Sequence, residues 1–99
     1  MLYMIIGTDI ENSLEKRMAA RPDHVSRLKQ LQEQGRLVIA GPNPAVDVAE
    51  PTEAGFTGSL IVAEFDSLED AQNWASDDPY IKQGVYSNVT VKPFIKALP

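Results

Sequence analysis

The sequence predicts an α+β domain in which two helical segments cover one face of an antiparallel four-stranded sheet. Two observations lead there. Strand-like and helix-like apolar runs follow one another in the order β-α-β-β-α-β. The 99 residues leave room for one domain spanning residues 1–99, with no internal repeat and no low-complexity tract. The economical arrangement of that order places the first and third strands at the centre of the sheet.

Each element follows from local pattern. Leu2 to Thr8 is an apolar run ended by Gly7-Thr8-Asp9, and reads as a buried strand. A helical register starts near Ser13, with Leu14, Arg17 and Met18 on adjacent turns. Pro22 cannot donate an interior helical hydrogen bond, so it is expected to break this helix and open a second one. The second helix carries Val25, Leu28 and Leu31 and ends at Gly35. Leu37-Val38-Ile39-Ala40 predicts a strand stopped by Gly41-Pro42. Residues 42–55 hold three of the seven prolines and read as a loop. Gly58 to Phe65 is the third strand, and Ser67 with Asp70 resembles a capped helix start ahead of Ala71 and Trp74. That helix should finish near Asp77-Asp78-Pro79. Val85 to Phe94 is the last strand, with Val85, Val89 and Val91 alternating against Tyr86, Asn88, Thr90 and Lys92.

A sheet with one wet face alternates apolar and polar residues. The third strand instead has Ile61, Ala63 and Phe65 on one face and Leu60 and Val62 on the other. Helices cover one side only, so self-association through the other is expected. Pattern alone does not say which of the two sets faces the partner. Small size points the same way, because a domain of this length buries only about two-thirds of its unfolded surface.

Composition narrows the function. No cysteine is present, which removes disulfides, thiolate catalysis and zinc–thiolate sites, and a single histidine cannot build a His-rich metal site. No cofactor is called for. The net charge of −5 makes nucleic acid and anionic membrane surfaces poor partners. Met1 to Ile6 is a short apolar start without a basic leader, and no run reaches the ~20 apolar residues of a membrane span. A cytoplasmic protein with a small-molecule ligand is the expectation.

His24 is the foremost candidate for chemistry. Placed in the first turn of a helix opened by Pro22, it would feel the positive end of the helix dipole, which disfavours imidazolium. A neutral imidazole serves as base or nucleophile. The plainer alternative is a boundary histidine that packs and bonds to backbone. Asp78, in Asp77-Asp78-Pro79-Tyr80, is either a helix-terminating turn residue or the carboxylate that orients a histidine. Arg17 and Arg21 could clamp an anion or simply face solvent. Gly41, Pro42 and the Gly55–Ser59 segment offer close backbone approach and the Ser59 hydroxyl, while Trp74, Tyr80 and Tyr86 read as core and interface aromatics, with Tyr80 also a candidate to line a cavity.

Several segments occur together in a recognisable order. They are Leu14-Glu15-Lys16-Arg17, Arg21-Pro22-Asp23-His24, Ala40-Gly41-Pro42, Gly55-Phe56-Thr57-Gly58-Ser59, Asp78-Pro79-Tyr80, Gly84-Val85-Tyr86 and Val91-Lys92-Pro93-Phe94. In this the chain resembles the YciI-like (YCII-related) family over nearly its whole length. The resemblance implies a ferredoxin-like fold assembled as a dimeric α/β barrel, and a pocket holding a His-Asp pair. By motif that pair maps onto His24 and Asp78, with Arg17, Arg21, Gly41, Pro42, Ser59 and Tyr80 around the substrate. One family member is a dehydrochlorinase acting on a chlorinated, hydroxylated aromatic ring. The expected function is therefore proton transfer in a lyase, dehydrohalogenase or isomerase, with His24 as acid/base or nucleophile. A non-catalytic, metabolite-binding dimeric module is the alternative, and a covalently modified His24 a third.

Overall fold

The computed structural model describes residues 1–99 and contains a four-stranded antiparallel sheet. Its strands are β1 (Leu2–Asp9), β2 (Leu37–Pro44), β3 (Phe56–Glu64) and β4 (Tyr86–Phe94). They lie in the order β2-β3-β1-β4, so the first and third strands are central. Three helices complete the chain: α1 (Leu14–Glu33), α2 (Leu68–Ser76) and the short α3 (Pro79–Lys82). A 3-10 turn spans Thr52–Ala54. The fold is α+β and ferredoxin-like. No helix is long and apolar enough to cross a membrane.

The core lies between the helices and one sheet face. Registers Tyr3↔Ala63 and Ile5↔Ile61 set these four side chains side by side, and Leu31, Phe65, Ala71 and Ala75 close over them. Leu60 and Val62 point to the opposite face with Met4, beside Val38, Ile39 and Phe94. Val38 and Ile39 there are 47% and 57% exposed. The period of two thus settles which half of the two-faced pattern meets the helices.

Helix ends follow their local chemistry. Gly35, at φ +70°, lets Arg36 N donate to Leu31 O at 2.9 Å and Gly35 N to Gln32 O at 3.0 Å, a Schellman ending for α1. Ser67 Oγ accepts from Asp70 N at 3.1 Å and starts α2. Arg27 ties α1 to α2: its Nη2 donates to Trp74 O at 2.8 Å while the guanidinium lies over the Trp74 ring.

Three expectations are corrected. Pro22 does not break the first helix; α1 runs unbroken through it. The donor that proline lacks would have met the carbonyl of Met18, and both residues lie on the solvent face, where the carbonyl is open to solvent. His24 is consequently mid-helix and feels no helix N-terminus. Gly41-Pro42 does not stop β2, which pairs onward through Pro42↔Ser59 and Asn43↔Gly58 to Pro44. β2 is an edge strand, and an edge tolerates prolines with no amide to give. Tyr86 does not share a face with Asn88 and Thr90, as the simple alternation places it. A bulge between Thr8 and Asp9 shifts the β1–β4 register and turns the ring inward over Gly7. A Cβ at Gly7 would collide with the Tyr86 ring, so only glycine leaves room.

Candidate active site

One face of α1 builds the site. Arg17, Arg21, His24, Val25, Leu28 and Gln32 recur at helical spacing and look onto the inner ends of β2 and β3. Arg17 is 6% exposed and is fixed from several sides. Its Nε donates to Asp9 Oδ2 at 2.9 Å, and its Nη2 donates to Gly58 O at 2.9 Å and to Ser59 Oγ. The Asp9 side chain is fully buried and also accepts from Ser13 Oγ at 2.6 Å. An ion pair this buried holds because most of its other lone pairs and protons find partners. Arg17 Nη1 takes part in none of these bonds.

His24 and Asp78 meet across the helix junction. His24 Nδ1 lies 2.8 and 3.0 Å from the two Asp78 carboxylate oxygens, and both side chains are buried. The tight turn between α2 and α3 aims the carboxylate: Asp78 is the N-cap of α3, Pro79 takes the first helical position, and Asp78 Oδ1 accepts from Tyr80 N at 2.8 Å. A carboxylate only accepts, so Nδ1 carries a proton, and in the neutral ring Nε2 is the nitrogen with the free lone pair. The Tyr80 ring stacks on the imidazole with centroids 3.8 Å apart and planes 11° from parallel. Arg17 lies over that same ring at 4.8 Å.

These groups line a cavity of about 300 Å³. Leu28, Leu37, Ala40 and Ile61 make its apolar side. Arg17, His24, Ser59 and Tyr80 make its polar end, and Arg21 and Lys29 are exposed at the rim. Two buried phenols stand near. Burial pushes the Tyr80 hydroxyl up against the opposing pull of Arg17 and Arg21, and raises Tyr86 further. Burial outweighs the Ser59 hydroxyl near Tyr86, with which the phenol makes no hydrogen bond. Both tyrosines are neutral at physiological pH.

Of the residues singled out in the sequence, His24, Arg17, Arg21, Gly41, Pro42, Ser59 and Tyr80 all border this one cavity. Asp78 sits behind His24. Sequence reasoning did not find Asp9 and Ser13, which anchor Arg17, although Asp9, Ser13 and Arg17 follow one another at four-residue steps. Nor did it find Lys29 and Gln32, which continue the stripe begun by Arg21 and Val25. The long α1 was the missing clue, because a break at Pro22 hides that continuity.

Fold and site together define a small ferredoxin-like α+β protein with a buried His-Asp pair in a cavity between one helix and the sheet. The chain belongs to the YCII-related domain family, whose model matches residues 1–95. It is 57% identical over 96 residues to protein YciI of Escherichia coli, covering 97% of this chain and 98% of the relative. An uncharacterised protein of Haemophilus influenzae is 56% identical over 96 residues, with the same coverage. Among solved structures, the 5-chloro-2-hydroxyhydroquinone dehydrochlorinase of Burkholderia phenoliruptrix, in complex with 2,5-dihydroxybenzoquinone, has a similar fold. Its TM-score is 0.84 at 23% identity, covering 96% of this chain and 94% of that one.

Proposed function

We propose that this protein is a small-molecule enzyme that moves a proton within the cavity, as a lyase, dehydrohalogenase or isomerase does. His24 Nε2 is the acid/base. Asp78 orients the ring and balances the charge when it becomes imidazolium. The observation that carries this reading is the 2.8 Å approach of Asp78 to Nδ1, which commits one ring nitrogen and leaves the other for a ligand. The similar fold of a dehydrochlorinase supports the class of chemistry. The remaining residues named above bind substrate, with Ser59 and Tyr80 at the polar end and Gly41 and Pro42 at the edge-strand wall.

The same reading has the protein working in the cytoplasm as a homodimer, with a second copy packed on the sheet face that bears Val38, Ile39, Leu60 and Val62. The deciding experiment is a screen of small enolisable carbonyl compounds and halogenated phenols for turnover or solvent deuterium uptake. Wild type should act on at least one, and His24→Gln should lose that activity while binding is kept. Binding without turnover across such a screen would favour a metabolite-binding module instead.

A further inference from the structure

We infer that the substrate is a small, flat oxyanion, or becomes one during reaction, and that Arg17 Nη1 is the group that takes its negative oxygen; this rests on the proposed role of His24. Three features carry it. The cavity rim and wall hold three of the chain's nine Lys and Arg residues, Arg17, Arg21 and Lys29, and no Asp or Glu. In a chain of net charge −5 that is a local reversal of sign. Arg17 is also buried and held rigid through Nε and Nη2, yet Nη1 has no partner within the protein. A donor fixed in place before a ligand arrives is what stabilises charge most, because nothing needs to reorganise.

Asp9 offsets part of the Arg17 charge, so Nη1 acts chiefly as a free hydrogen-bond donor. Arg21 and Lys29 at the rim supply the net positive field. The Tyr80 ring fixes the relation of donor to base, since His24 stacks on it at 3.8 Å and Arg17 lies over it at 4.8 Å. The step then balances. Nε2 takes a proton from carbon, the electron pair of the broken C–H bond moves toward an adjoining carbonyl, and the charge ends on the oxygen facing Nη1. Imidazolium forms next to Asp78. Return of that proton to another carbon completes an isomerisation with no further reactant. The apolar wall of Leu28, Leu37, Ala40 and Ile61 accepts the flat carbon skeleton.

The test uses 4-nitrocatechol, a flat chromophoric anion near neutral pH, against its neutral analogue 1,2-dimethoxy-4-nitrobenzene. Wild type should bind the anion at least tenfold tighter, with the histidine resonances shifting on titration. Arg17→Lys keeps a cation for Asp9 but loses the fork, and should lose most of that preference. Arg21→Gln at the exposed rim keeps the fold and should weaken the anion several-fold, with little change for the neutral analogue. Equal affinity of wild type for both compounds overturns the inference even if Arg17→Lys fails to fold. His24→Gln separates the two readings: retained anion preference with lost deuterium exchange supports both. Exchange by wild type without anion preference removes the Arg17 role and leaves the His24 reading standing.

Discussion

Replacing Asp78 by alanine tests the pairing at the centre of the site. The carboxylate accepts from His24 Nδ1 and, at 2.8 Å, from Tyr80 N as the cap of α3. Loss of a helix cap costs about 1 kcal/mol. Loss of a hydrogen bond to a charged group costs a further ~1.5–3 kcal/mol. The sum is about 2.5–4 kcal/mol, which for a domain of this size lowers Tm by at least about 10 °C. Asp78→Asn separates the two contributions. Asparagine caps as well as aspartate and its carbonyl oxygen still accepts from Nδ1, so only the charge is lost, about 1 kcal/mol. Thermal and urea unfolding give the energies. Nitrogen-15 NMR of the single imidazole reports the tautomer, which should be Nδ1–H in wild type and mixed in Asp78→Ala. An alanine variant within about 0.5 kcal/mol of wild type, with its tautomer unchanged, would show that Asp78 does not hold the ring.

Other outcomes follow from the same structure. Light scattering at micromolar concentration should give twice the 10.9 kDa chain mass, and Ile39→Asp, on the exposed part of the sheet face, should return it to the monomer without unfolding; a wild-type monomer would end the dimer reading. Burial raises both Tyr80 and Tyr86 above their unfolded value of about 10, so the folded state keeps protons that the unfolded state releases. Stability should therefore be level below pH ~10 and fall as pH rises beyond it, less steeply in Tyr86→Phe, which also removes a buried hydroxyl without a partner and should gain about 1 kcal/mol at neutral pH. Denaturation curves across pH 7 to ~11 check both signs. Gly7→Ala should cost roughly 1–3 kcal/mol through collision with the Tyr86 ring, and far less in a Tyr86→Leu background, a coupling that a double-mutant cycle measures.

Pattern and propensity revealed most of the fold because the elements obey their own periods. Gly35 and Ser67 end and start helices through the backbone groups that such residues satisfy elsewhere. What pattern could not reveal depended on neighbours. Whether Pro22 interrupts a helix turns on which side of α1 meets water, and whether Pro42 and Pro44 end a strand turns on whether that strand lies at an edge. The inward turn of Tyr86 depends on the bulge at Ser87, which shows only in the pairing of β4 with β1. The site was legible as residue types, yet the approach of His24 to Asp78, 54 positions apart, is a product of tertiary packing alone.

β3 has one further consequence. Ser59 and Ile61 border the cavity, while Leu60 and Val62, interleaved with them, lie on the opposite face. Point substitutions can alter either surface separately, since each residue belongs to one side. Insertion or deletion cannot. One residue gained or lost within β3 would exchange the two sets at a stroke, putting Leu60 against His24 and the Ser59 hydroxyl on the outer sheet. Length variation among proteins built on this strand should therefore collect in the 45–55 segment and at the tail beyond Phe94, with the run from Gly58 to Glu64 held at constant length.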